Sequence, residues 1–156
     1  MKLLYVSYVK AVKKLSLQNK VWVNGPVLNY ARQTHSCAMI RKDDRNPSLS
    51  VIAVGGENNG DFKNSVEILD ANNSIWRLGN NLPVATWRAS LVEDPRGGVI
   101  LVGGVTSSGL TTSLYRLKHA GLFAQWELMT QKLKLGNSYF AAFLVPDKLV
   151  QNCTFS

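Results

Sequence analysis

The chain has 156 residues, 46% of them apolar, and a net charge of +8. This is long enough for a domain with a real core and too apolar for a disordered chain, and no apolar run nears the roughly 20 residues that a membrane-crossing helix needs. The charge is uneven, since residues 1–45 hold nine Lys/Arg against Asp43 and Asp44; with no aromatic interleaving and no nucleic-acid motif, this reads as solvated edges and loops rather than a nucleic-acid or membrane surface.

In chain order, residues 1–10 read as a start outside any repeat. Lys10, Lys13 and Lys14 interrupt the short Leu3-Leu4-Tyr5-Val6 stretch. No small-residue cleavage site follows, so a secretory leader is not read here. Residues 12–16 read as a strand, with Trp22 on its hairpin partner. The next strands are expected near 36–40 and 50–55. The second is a continuous apolar run, Val51 to Val54, closed by Gly55-Gly56, as suits a buried strand. Further strands are expected at 65–70 and 74–78, joined by a turn-rich stretch from Asp70 to Ser74. The plan returns at 89–93, 98–103, 113–117 and 124–128. Asp94-Pro95-Arg96-Gly97-Gly98 supplies a tight turn between the first two. A last strand is expected at 139–144.

The return is literal. Val-Ile-Ala-Val-Gly-Gly at 51–56 recurs as Val-Ile-Leu-Val-Gly-Gly at 99–104, 48 residues later, and Ser65 to Asp70 recurs at the same interval as Ser113 to Lys118. Trp22, Trp76 and Trp126 mark the same beat. A period of this size signals stacked units. Each unit has four strands, A to D. Residues 35–79 and 80–135 are whole units. Residues 11–34 hold only C and D, and residues 136–156 hold an A strand and a tail.

Strands ending in Gly-Gly, with Trp ahead of a Leu-Pro or Pro-Leu segment (Trp22 to Leu28; Trp76 to Pro83), resemble the kelch repeat. The resemblance covers residues 11–145. It implies an all-β fold: a kelch-type β-propeller fragment built of four-stranded antiparallel blades. A ring takes about four to eight blades, so two whole blades and two partial ones imply part of a larger propeller. Open blade edges imply self-association.

Catalytic chemistry finds no foothold. His35 and His119 are distant in sequence and lack Cys or acidic neighbours at metal-ligand spacing. Gly55 to Gly60 lacks the Lys-Ser/Thr of a phosphate loop. Cys37 and Cys153 form no Cys-x-x-Cys and are not expected to bridge. No catalytic residue, metal or cofactor is assigned, and no enzyme activity. Asn72 and Asn152 open glycosylation triplets that occur often by chance. No compartment is assigned, though the lack of a leader leans to the cytoplasm.

The resemblance implies a non-catalytic protein-binding module. Its partner, another protein or peptide, would meet the B–C and D–A loops. The expected partner-binding residues are Arg32 and Arg88 in D–A loops, with Glu57, Asn58, Asn59, Thr106, Ser107 and Ser108 in B–C loops. The alternatives are a truncated structural remnant without activity of its own, or the remnant of a kelch-like propeller enzyme.

Overall fold

A computed structural model describes the backbone of residues 2–6 and all of residues 10–42, 48–69, 75–121 and 124–145, with residue 70 as backbone. The described residues contain fifteen strands and no helix. They form antiparallel sheets of two to four strands and no closed barrel or ring.

Two sheets have four strands in chain order. The first is β4 (Ser36–Arg41), β5 (Leu49–Val54), β8 (Val66–Asp70) and β9 (Arg77–Leu78). The second is β10 (Ser90–Glu93), β11 (Val99–Val102), β14 (Ser113–Leu117) and β15 (Glu127–Lys132). The registers repeat, with Ser36 opposite Val54 and Ser90 opposite Val102. Between the second and third strands each sheet carries a two-stranded hairpin: β6 (Glu57–Asn58) with β7 (Asp61–Phe62), and β12 (Val105–Thr106) with β13 (Gly109–Leu110). A third sheet, β1 (Lys2–Val6), β2 (Val12–Ser16) and β3 (Val21–Asn24), precedes them.

Alternation along the strands explains how the sheets pack. Successive side chains point to opposite faces. Ile52 and Val54 join Val99 and Leu101 in one buried cluster, so β5 and β11 face each other across it. Val51 and Ala53, on the other face of β5, meet Val12 and Leu28 beside the first sheet. Ile100 and Val102, on the other face of β11, meet Phe140 and Ala142. The sheet of β4, β5, β8 and β9 thus buries its two faces against its two sequence neighbours, as in a stacked array.

The tryptophans lock this stacking. Trp76 Nε1 donates to the Pro26 carbonyl at 2.9 Å, and Trp126 Nε1 donates to the Asn80 carbonyl at 3.0 Å. In both cases the acceptor lies four residues after the previous tryptophan of the series. A buried indole N–H needs such a partner, which is why the tryptophan and the loop behind it recur together. Gly55 and Gly56 have φ of 64° and 93°, a region that side chains rarely adopt. The Gly56 N–H reaches the Thr86 carbonyl of the next loop at 2.9 Å, and the Gly104 N–H reaches the Asn137 carbonyl at 2.8 Å.

Several boundaries differ from expectation. The start is not outside the pattern, because β1 pairs along β2 with Val6 opposite Val12, the place β5 holds beside β8. The strand expected at 124–128 runs over Glu127–Lys132, and the one expected at 74–78 is Arg77–Leu78. The strand expected at 139–144 is not formed, since among the described residues no strand pairs with it. Asn72, Asn152 and Cys153 lie outside the described residues, and Cys37 is a free thiol.

Candidate functional site

The ends of the Gly-Gly strands and the loops before β4 and β10 gather at one side of the array. Gln33 and Glu57 exchange backbone hydrogen bonds at 2.8 and 3.0 Å, and Trp87 and Val105 do so at 3.0 and 2.9 Å. Each loop is thereby stitched to the base of one short hairpin. Trp87 also stacks on Phe62, with ring centroids 3.8 Å apart and planes 7° from parallel. One residue therefore joins the two hairpins, by its ring to β7 and by its backbone to β12.

Beside it runs a row of left-handed residues. Thr34, Arg88 and Tyr139 have φ of 51°, 56° and 56°. Such values are uncommon outside glycine. The Arg88 N–H donates to the Thr34 carbonyl at 2.9 Å, and the Tyr139 N–H donates to the Arg88 carbonyl at 3.1 Å. The tight turns thus chain successive units together. They also set the Arg88 guanidinium 4.2 Å from the Tyr139 ring centroid, within cation–π range. A cleft of about 290 Å³ opens on the same side, lined by Tyr30, Asp61, Phe62, Lys63, Leu78 and Asn81 among others. Its floor is mixed, with an Asp61–Lys63 ion pair among aromatic rings.

The expected site residues fall into three groups. Asn59, Ser107 and Ser108 are exposed at the hairpin tips, and Asn58 and Arg88 are half-buried. Glu57 and Thr106 are half-buried too, but their side chains are engaged in local hydrogen bonds. The Glu57 carboxylate accepts from Gln33 Nε2 and from the Gly60 N–H at 3.1 Å. Thr106 Oγ1 accepts the Ser108 N–H at 3.2 Å. These two shape the hairpins more than they face outward.

Arg32 requires correction. It is wholly buried, and its guanidinium donates to the Gly55 carbonyl at 2.7 Å, to the Ser65 carbonyl and hydroxyl at 3.0 Å, and to Glu67 at 2.9 Å. Both terminal nitrogens are used, and Nε, though it has no partner, is buried with the rest of the side chain. Glu67, equally buried, also accepts the Asn29 N–H at 2.6 Å and the Tyr30 N–H at 3.0 Å. Arg32 is a structural bolt between the first loop and the next sheet. His35, two strand-entry residues on from Gln33, is shifted by the same surroundings. Burial, and then the Arg32 charge, lower its pKa to about 4.

Phe62, Trp87 and Tyr139 were not singled out from sequence. One signal was present: Trp87 is the tryptophan that falls off the beat of the other three, so spacing between units does not explain it. Among the described residues no group of three His, Cys, Asp or Glu is placed to hold a metal ion. No family model matches the chain, and no curated protein matches it.

Proposed function

We propose that the chain is an arc of a kelch-type β-propeller and a non-catalytic protein-binding module. The partner is an extended peptide segment of another protein, lying across the two hairpins and the loops between them. The observation that carries this reading is the bridging of both hairpins by Trp87. It gathers Phe62, Trp87, Arg88 and Tyr139 on one side, beneath exposed polar tips at Asn59 and Ser107-Ser108. Tyr, Trp and Arg are the residues that most often carry binding energy at interfaces, and a ring of polar contacts around them excludes water. The residues sit on loops held by a rigid scaffold, the usual place for recognition. The kelch assignment is supported by the Gly-Gly strands, the tryptophans in phase, and the four-stranded antiparallel sheets in chain order.

Selection of a displayed random-peptide library on the chain tests it. Selected peptides should lose about tenfold or more in affinity on Arg88→Ala, since truncating a hot-spot residue costs about 2 kcal/mol. Binding unaffected by Arg88→Ala, Trp87→Ala and Phe62→Ala together would overturn the reading.

A further inference from the structure

Among the described residues four arginines are buried or half-buried: Arg32, Arg77, Arg88 and Arg116. Three of them have partners. Arg32 is held by Glu67 and two carbonyls. Arg77 Nη2 donates to the Ala120 carbonyl at 2.8 Å, and Arg116 Nε lies 2.7 Å from Asp94 Oδ2. Arg88 differs. No hydrogen bond or ion pair from the described residues reaches its guanidinium, and its Nε is buried without an acceptor. A cation drawn partly out of water with no counter-charge is costly. The acids of the two hairpins do not relieve it. Glu57 accepts from Gln33 Nε2 and the Gly60 N–H, and Asp61 pairs with Lys63.

The guanidinium is nonetheless fixed in place. The Arg88 N–H is bonded to Thr34 and its carbonyl to Tyr139, so the backbone is held on both sides. The Tyr139 ring, 4.2 Å away, covers one face of the guanidinium. With Nε buried and one face covered, the edge that stays open carries the two terminal nitrogens. Two parallel N–H groups on such an edge match the two oxygens of a carboxylate, and the match is directional. Donors already held in position lose little freedom when they bind.

We propose that Arg88 is a carboxylate-binding point: an Asp or Glu side chain of the partner peptide seats on its two terminal nitrogens. This rests on the peptide-binding reading above and gives the partner its chemistry. The Tyr139 ring steadies the guanidinium without neutralising it, so the charge is left for the ligand. The chain's net charge of +8 draws acidic segments toward the face and repels basic ones. A phosphorylated residue offers similar oxygens, but phosphate is taken up by clusters of arginines. Among the described residues of this face, Arg88 is the one arginine whose donors are unused. A single planar edge suits a carboxylate.

Two displayed random-peptide libraries selected on the full chain test this, one complete and one made without Asp and Glu. Binders from the complete library should share an acidic residue. Changing it to Asn or Gln should weaken binding about tenfold or more, as expected for a charged hydrogen-bonded pair. This change is made in the peptide, so it reads the contact even where a variant of the chain folds poorly. Arg88→Met, which keeps a side chain beside Tyr139, should cause a similar loss. Combining it with the peptide change should add little, because both remove one interaction. Arg88→Lys should restore binding only in part, since lysine lacks the planar fork. Full additivity of the two losses overturns the contact. So does a tenfold gain on replacing the acidic residue with phosphoserine, which would make phosphate the ligand. Binders of equal affinity from the acid-free library that still need Trp87 overturn the carboxylate contact and leave the binding face standing. No binders from either library overturn the face and the contact together.

Discussion

Removing Glu67 should unlock the junction between the first sheet and the rest. The Glu67 carboxylate accepts four hydrogen bonds, from the Asn29 N–H and Nδ2, the Tyr30 N–H and Arg32 Nη2, at 2.6 to 3.0 Å. Both ions of the pair are fully buried. Glu67→Ala therefore strands a guanidinium away from water, along with two backbone N–H groups. Breaking one partner of a buried pair costs about 3–5 kcal/mol. For a chain of this size, roughly 2–4 °C per kcal/mol converts that to a fall in Tm of about 6–20 °C. Arg32→Met should cost a comparable amount. The double variant Arg32→Met with Glu67→Leu should lose less than the sum of the two, because no unpaired charge is left. Thermal unfolding followed by far-ultraviolet circular dichroism reads all three. A loss under about 1 kcal/mol for Glu67→Ala, or strict additivity in the double variant, would refute the account of this pair.

Gly55→Ala should destabilise strongly, because φ is +64° and the added Cβ falls against the Thr86 carbonyl. Gly60→Ala, also at positive φ but in open space, should cost only about 1 kcal/mol or so. Comparable losses at the two positions by chemical denaturation would contradict the packing. The folded-state pKa of His35 lies near 4 against an ordinary 6.5, so the unfolded chain binds the extra proton first. Stability should be complete above pH 6.5 and fall progressively as the pH drops to about 4. His35→Gln should flatten that slope in melting curves; an unchanged slope would sink the assignment. Burial works to raise the pKa of Asp94, but its bonds to Arg96 and the Arg116 charge outweigh this and hold it below its usual 3.8. Its contribution should survive to lower pH than that of His35, and Asp94→Asn should leave the slope between 6.5 and 4 intact.

The repeating sheets were legible because their demands are local. A buried central strand wants an unbroken apolar run, and the close loop approach at Gly55 and Gly56 tolerates no side chain. Both requirements recur at 99–104. The first strand was missed because β1 has no Gly-Gly after it, so nothing in Lys2 to Val6 marks it as the partner of β2. The hairpins β6–β7 and β12–β13 have two-residue strands, too short for any periodicity. Residues 139–145 carry a strand pattern, but a strand exists only where another pairs with it. Arg32 was misjudged for a different reason. Arginine is almost never fully buried without a partner, and the partner, Glu67, sits 35 residues away on β8. The half-buried Arg88, by contrast, keeps its guanidinium over the Tyr139 ring. Two arginines in matching loops thus have opposite fates, decided by whether an acid faces them on the next sheet.

Hydrogen–deuterium exchange with and without a selected peptide locates the partner most directly. Exchange should slow in segments covering Glu57 to Phe62, Thr86 to Arg88 and Val105 to Leu110. Exchange should be unchanged at the opposite end of the sheets, around Asp94 to Gly98. Protection centred on that turn, or on the outer strands β9 and β15, would contradict a binding face built on the two hairpins and Trp87.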